Sequence, residues 1–340
     1  MVAPWLVAIT IQSHGAFFQQ SLGNDFAAKI AGGQESHGAL PGYFLALSAI
    51  TFWPTILLVP PALVAGWTRR ADPMIRFLLV WAASWWLLVE VVPTKLPHYV
   101  LPAYPPLAIL TALWLSDTPL PSLGTKIARW IGAIQFLAGA VLLTAAPILL
   151  LRLYGAGPGW PVMALAGLGA VLALAALVLF ARRQDGWAAA AALVALFVYV
   201  PTLTMAVAPK LSQLWVSERL APLVAAHTRP GDPPPVLAGF QEPSLVFALG
   251  KDVVLTDGRG AAEAAAAHGG LALIEDRERG PFLARLAELQ DDADMEAALW
   301  GFNYSRGRRV HVTLYRVGRV DPAPWDDGRG PTPLPPTPIP

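Results

Sequence analysis

The chain has 340 residues, 55% of them hydrophobic and only 14% charged, against about 25% charged in an ordinary soluble domain. With a mean hydropathy of +0.50, that balance excludes a purely soluble protein. The formal charge of +1 gives no support for nucleic-acid binding, and the absence of cysteine excludes disulfides, thiolate metal sites and a cysteine nucleophile. Charge is also uneven: 16 of the Lys, Arg, Asp and Glu residues lie in positions 1–208 and 31 in 209–340, which predicts a membrane part followed by a soluble part.

Val2 to Ile11 is apolar from its first position, without a basic region ahead or a small-residue cleavage site behind, and so makes a poor signal peptide. Crossing a bilayer takes about 20 apolar residues, and about half that number precede Gln12, so the start reads as the tail of a spanning helix. Residues 13–40 form a connecting loop in which Phe17, Phe18, Leu22, Phe26 and Ile30 recur at helical spacing, as in a helix lying at the membrane interface. The next apolar segment, 41–67, contains Pro54, Pro60 and Pro61, which kink or end a helix, and Trp67 marks its far edge. Further spans are predicted at 74–92, 99–116, 127–151, 161–181 and 187–208, making seven apolar segments in all.

Basic loops at Arg69–Arg70, at Lys126 with Arg129 and at Arg182–Arg183 alternate with loops poor in Lys and Arg. The positive-inside rule puts those three in the cytoplasm, and hence residues 13–40, the turn at 95–104 and everything after about Pro209 on the periplasmic side of an inner membrane. Beyond Leu211, helices are expected at 211–227, 242–249, 261–267 and 279–290. Strands are expected at 236–239, 253–256 and 271–275, with Arg309–Val317 as an edge strand. The predicted fold class is mostly α, a polytopic transmembrane helical bundle (1–208) followed by a small periplasmic α/β domain (209–318). The Pro-rich tail 319–340 cannot bury a core and reads as disordered.

The stretch Lys95-Leu-Pro-His-Tyr-Val-Leu-Pro-Ala-Tyr-Pro105 is a polar, proline-stiffened knot between two apolar segments. Tyr99 and Tyr104 suit either interfacial anchoring or a site. Lys95 is harder to assign to lipid, because interfacial cations that do not simply snorkel tend to face a cavity and bind an anion. Glu90, in the preceding helix, is either its structural partner or an acid facing the same cavity. The prolines leave Lys95, His98 and Tyr99 little freedom, and a held cation beside phenol donors suits a phosphate. In the outer loop, Asp25 and Lys29 have the i,i+4 spacing of an ion pair, and Glu35 with His37 is a weakly specific pair for metal binding or proton transfer. In the soluble part, Gly239–Leu245 reads as a strand end running into a helix with Pro243 in its first turn, where packing is favoured over anion binding. Asn303–Arg308 reads as a basic turn, either solvated or touching acceptor or lipid headgroups.

The run Gly32-Gly-Gln-Glu-Ser-His-Gly-Ala-Leu-Pro-Gly-Tyr43, followed by KLPHYVLPAYP, resembles bacterial members of glycosyltransferase family 39, which includes the lipid A aminoarabinose transferases and is related to protein O-mannosyltransferases. The resemblance covers the membrane part. It implies a GT-C fold and transfer of a sugar from a polyprenyl-phosphate donor to a lipid or protein acceptor at the periplasmic face of the cell envelope. It also implies that Lys29, Lys95 and Tyr99 lie near the donor phosphate, with His98 and Tyr104 beside them. A histidine found in the aminoarabinose transferases near the loop cation is replaced here by Asp25 and Phe26, so a divalent metal is a candidate cofactor without a defined site. The family's acidic catalytic residue belongs to a first periplasmic loop that precedes the stretch represented here. Asp25, Glu35 and His37 are then weak catalytic candidates, and this chain alone is expected to lack transferase activity. Two rivals remain: a carrier or flippase for polyprenyl-linked sugars, and a non-catalytic subunit of a split enzyme.

Overall fold

The computed structural model describes residues 3–18, 39–116 and 123–318. The chain divides into two compact units, the first comprising Met1–Leu149 with Pro158–Val207 and the second Leu150–Gly157 with Ala208–Pro340.

In the first unit α1 (Ala3–Gln12) is apolar but only 10 residues long. The segment expected at 41–67 is interrupted, as its prolines predict. It forms α2 (Tyr43–Thr51), a 3-10 turn at Thr55–Leu57 and α3 (Val59–Thr68), the breaks falling at Pro54 and just before Pro60 and Pro61. Proline lacks the amide hydrogen that an α-helix interior needs, so three of them in eight residues cannot lie inside one straight helix.

Five helical stretches among the described residues are long and apolar enough to cross a membrane: Pro73–Val91, Pro97–Ser116, Leu123–Tyr154, Trp160–Ala181 and Asp185–Lys210. We label their α-helical parts α4 (Pro73–Val91), α5 (Tyr104–Ser116), α6 (Leu123–Tyr154), α7 (Trp160–Ala181) and α8 (Asp185–Pro201). Their limits follow local chemistry. Asp72 caps α4, its Oδ1 accepting from the amides of Met74 at 2.8 Å and Ile75 at 3.4 Å, and Pro73 occupies the first turn, where no amide hydrogen is missed. The helix ends at Val92, which is extended because it precedes Pro93.

Helix α6 lies so close to the broken segment that two glycines are required. A Cβ on Gly132 would stand 2.3 Å from the carbonyl oxygen of Leu57, and one on Gly139 only 2.0 Å from that of Ala49. Between them Phe136 is fully buried, stacked on Trp53 at 5.0 Å, and its carbonyl accepts the Trp53 indole hydrogen at 3.2 Å. Gly132→Ala and Gly139→Ala are each expected to destabilise the bundle by about 1–3 kcal/mol through overpacking. Unfolding in detergent measures this, and an unchanged midpoint would show that the helix moves aside freely.

The second unit is an α/β layer. Its five-stranded sheet has the order β2-β1-β3-β5-β4, with β1 (Val236–Ala238), β2 (Val254–Thr256) and β3 (Gly270–Glu275) parallel, and β5 (Arg308–Val317) antiparallel to both β3 and β4 (Ala293–Asn303). Four helices accompany it: α9 (Val216–His227), α10 (Pro243–Leu249), α11 (Gly258–His268) and α12 (Asp276–Glu288). One face buries Leu237, Leu273, Leu299, Val312 and Leu314 against α9 and α10, and the other buries Ala238, Ile274 and Tyr315 against α11 and α12. Alternate residues of each strand therefore serve opposite cores, as the two-residue repeat of a strand requires. Arg309–Val317 is thus not the edge strand expected from the sequence. It lies inside the sheet, and β4, for which the sequence reading assigned no strand, is the edge.

Candidate functional site

Between α4 and α5 the chain leaves the helix at Val92 and re-enters a 3-10 turn at Pro97–Ala103, with Leu96 extended ahead of Pro97. Two prolines set this path, since Val92 before Pro93 and Leu96 before Pro97 are both driven into extended backbone.

Lys95 is buried there, and its ammonium is occupied. Nζ donates to the carbonyls of Val89 at 2.8 Å and Glu90 at 2.6 Å, lies 3.8 Å from the Glu90 Oε2, and stands 5.4 Å from the centre of the Phe44 ring. Val89 and Glu90 are in the last turn of α4, where carbonyls have no partner within the helix and the helix dipole favours a cation. Burial pushes the ammonium below its ordinary pKa, and the Glu90 carboxylate pulls the other way. On its far side that carboxylate accepts from the backbone amides of Gly42 at 2.9 Å, Phe44 at 3.2 Å and Leu45 at 3.3 Å, the unpaired donors at the start of α2. Glu90 is therefore the structural partner of Lys95, and together they join the negative end of α4 to the positive end of α2.

Tyr104 forms a second tie to α2. Its ring stacks on Phe52 with centroids 4.2 Å apart, and its hydroxyl shares a short hydrogen bond with the Thr51 hydroxyl. His98 and Tyr99 lie edge to face at 4.9 Å. His98 is exposed and Tyr99 half-buried, and the Tyr99 carbonyl accepts the indole hydrogen of Trp85 at 2.7 Å. The turn thus has an inner part, Lys95 and Tyr104, bonded to neighbouring helices, and an outer part, His98 and Tyr99, with donors closer to the surface.

Asp25, Lys29, Glu35 and His37 lie outside the described residues. Among the described residues, no three His, Asp or Glu side chains converge as metal ligands. Sequence reasoning singled out Glu90 but missed Thr51 and the amides of Gly42, Phe44 and Leu45. Their only sequence signal is the helix start after Pro41-Gly42, which does not say what it packs against.

No family model matches the chain. Its relatives include the undecaprenyl phosphate-α-4-amino-4-deoxy-L-arabinose arabinosyl transferase of Pectobacterium carotovorum, 28% identical over 163 residues, which are 46% of this chain and 29% of the relative. The protein of the same name from Edwardsiella ictaluri is 33% identical over 150 residues, 42% of this chain and 27% of the relative. The structure is similar to that of ArnT from Cupriavidus metallidurans bound to undecaprenyl phosphate, with a TM-score of 0.53 at 17% identity, covering 92% of this chain and 58% of that one.

Over these stretches the chain is similar in sequence to the arabinosyl transferases. The likeness to the apo form of the same ArnT, with a TM-score of 0.56, likewise covers 92% of this chain and 57% of the other, and at 17% identity it establishes the GT-C-like fold. The ArnT-like chain therefore spans well under two thirds of these proteins, less than a third of the curated relatives along the matched stretch. Its membrane part is multi-pass, with the small α/β unit following the last span.

Proposed function

We propose that this chain is the C-terminal part of, or a whole, integral membrane glycosyltransferase that moves a sugar from a polyprenyl-phosphate donor to an acceptor at the periplasmic face of the inner membrane. The observation that carries the reading is the 33% identity over 150 residues to an arabinosyl transferase named for an undecaprenyl-phosphate donor. The basic residues at Arg69–Arg70, Lys126 with Arg129, and Arg182–Arg183 alternate along the spans with the Lys95 turn and the α/β unit, which supports a periplasmic position for both.

Lys29, Lys95, His98, Tyr99 and Tyr104 are the proposed donor-phosphate set, and they divide the work. Breaking a glycosyl phosphate bond leaves negative charge on the departing phosphate, so donors already in place stabilise the transition state more than the ground state. His98 and Tyr99, nearer the surface, are the direct donors in this reading. Lys95 and Tyr104 hold the turn, and the Lys95 charge is largely offset by Glu90, 3.8 Å away. Lys29 supplies a second cation, and Asp25, Glu35 and His37 are the candidates in this chain for orienting the acceptor or taking its proton. The acceptor is proposed to be a lipid or a protein.

The test is transfer and release of undecaprenyl phosphate from undecaprenyl-phosphate aminoarabinose in membranes carrying the full-length protein. Release dependent on an acceptor supports the transferase. Donor binding without bond cleavage would move the assignment to a carrier or a partner subunit. His98→Ala with Tyr99→Phe is expected to lower kcat/KM by at least about tenfold, the equivalent of about 1.4 kcal/mol of transition-state stabilisation. Unchanged turnover would remove the outer part of the turn from the site.

A further inference from the structure

We propose that the β4–β5 hairpin of the C-terminal unit docks on the bilayer surface by binding anionic phospholipid headgroups. This inference rests on the chain's membrane character and not on the transferase reading.

The C-terminal unit contains the ends of two apolar membrane-crossing stretches, Leu150–Tyr154 of α6 and Ala208–Lys210 of the last span. Where those stretches run out of apolar residues, the unit meets the headgroup region. The hairpin is bonded to both ends. The Gln213 amide donates to the Tyr154 carbonyl at 3.1 Å, the Phe302 amide donates to the Gln213 carbonyl at 2.8 Å, and the rings of Tyr154 and Phe302 touch with centroids 5.2 Å apart. The Trp215 indole donates to the Ala208 carbonyl at 2.7 Å and meets the Tyr304 ring edge to face at 6.2 Å. The base of the hairpin is held as well, since Asn303 Nδ2 and the Ser305 hydroxyl both donate to Glu242 Oε1, at 2.7 and 3.1 Å.

What the hairpin presents from this fixed position is an interfacial composition. Trp300 and Tyr304 are 63% and 62% exposed. Lys210, Arg306 and Arg309 are exposed, and among the described residues none of their side chains makes an ion pair. The neighbouring Arg308, by contrast, is paired with Glu275. Tryptophan and tyrosine settle at headgroup depth, where one part of the ring is apolar and the other wet, and unpaired cations there meet lipid phosphates. Water would leave two large rings exposed, whereas a bilayer surface covers them and supplies the missing counter-charge.

Because the chain has no cysteine, single reporters can be placed in it in lipid nanodiscs. A nitroxide at Tyr304→Cys is compared with one at Lys251→Cys, an exposed turn that precedes β2 at the other end of the sheet. In discs containing phosphatidylglycerol, the label at 304 is expected to be shielded from an aqueous nickel chelate and open to oxygen, while the label at 251 stays open to nickel. In that background Arg306→Gln and Arg309→Gln are each expected to shift the docked-to-undocked ratio about fivefold, which is the roughly 1 kcal/mol of attraction per basic side chain near an anionic surface. A label at 304 as open to nickel as the one at 251 would overturn the proposal. Undiminished shielding in discs of neutral lipid alone would overturn it too, because the cover would then not need anionic headgroups.

Discussion

Replacing Lys95 with methionine in the full-length protein is expected to destabilise it by about 3–5 kcal/mol, the cost of removing one partner from a buried ion pair. The Lys95 side chain is 1% exposed and that of Glu90 11% exposed, so the carboxylate left behind has little water to turn to. The carbonyls of Val89 and Glu90 would lose their donor at the same time. Adding Glu90→Gln removes the stranded charge while keeping an oxygen for the amides of α2, and is expected to recover most of the stability. The pair of variants separates two roles. Transfer from a polyprenyl-phosphate sugar that stays abolished in the stabilised double variant would place the Lys95 cation on the donor phosphate. Transfer that returns with stability would sink that assignment and leave Lys95 as the residue that holds the turn. Thermal unfolding in detergent and a donor-release assay supply the two readouts.

Arg316→Met is expected to cause a loss of similar size in the C-terminal unit, about 3–5 kcal/mol. Arg316 is buried in β5, with Nη1 3.2 Å from both carboxylate oxygens of Asp232 and Nε 3.1 Å from Glu296 Oε1, while Nη2 donates to the His227 carbonyl at the end of α9. Without it Asp232, only 5% exposed, would keep the Arg229 amide at 2.7 Å but lose its guanidinium, and Glu296 would keep only the more distant Arg229 guanidinium at 3.9 Å. Arg316→Lys is expected to recover only part of the loss, because a single ammonium cannot reproduce the planar fork that serves three acceptor groups. Urea unfolding of the full chain measures the difference, and a midpoint equal to that of the unsubstituted protein would show that the remaining contacts of Asp232 and Glu296 suffice.

The limits of the five spans were legible in the sequence to within about four residues, since the apolarity that crosses a bilayer is carried by consecutive residues and needs no knowledge of the fold. The break in 41–67 was legible for the same reason, because a proline acts on its own helix. Strands β1, β2 and β3 were read from short runs between turn residues. By contrast Ala293-Asp-Met-Glu-Ala-Ala-Leu299 consists mostly of good helix formers and was not read as a strand, and the register shift at Met295/Ala297 blurs its alternation. Pairing with β5 overrides that local preference. The interior place of β5 was equally hidden, because strand order is a matter of contacts between distant residues.

For the candidate site the division is similar. Composition and proline spacing by themselves determined that a membrane protein carries a rigid, polar turn at 95–105, since hydropathy and backbone restriction act over a few neighbouring residues. Only the tertiary structure decided where the polar groups are spent. Lys95 reaches back five and six residues to the end of α4, Glu90 reaches 48 residues to the Gly42 amide, and Tyr104 reaches 53 residues to Thr51. A buried charge takes whichever partner the packed helices bring within about 4 Å, and its desolvation makes that choice costly to reverse. That is why a lysine legible as a phosphate ligand in the sequence is, in the folded chain, also the link between two helix ends.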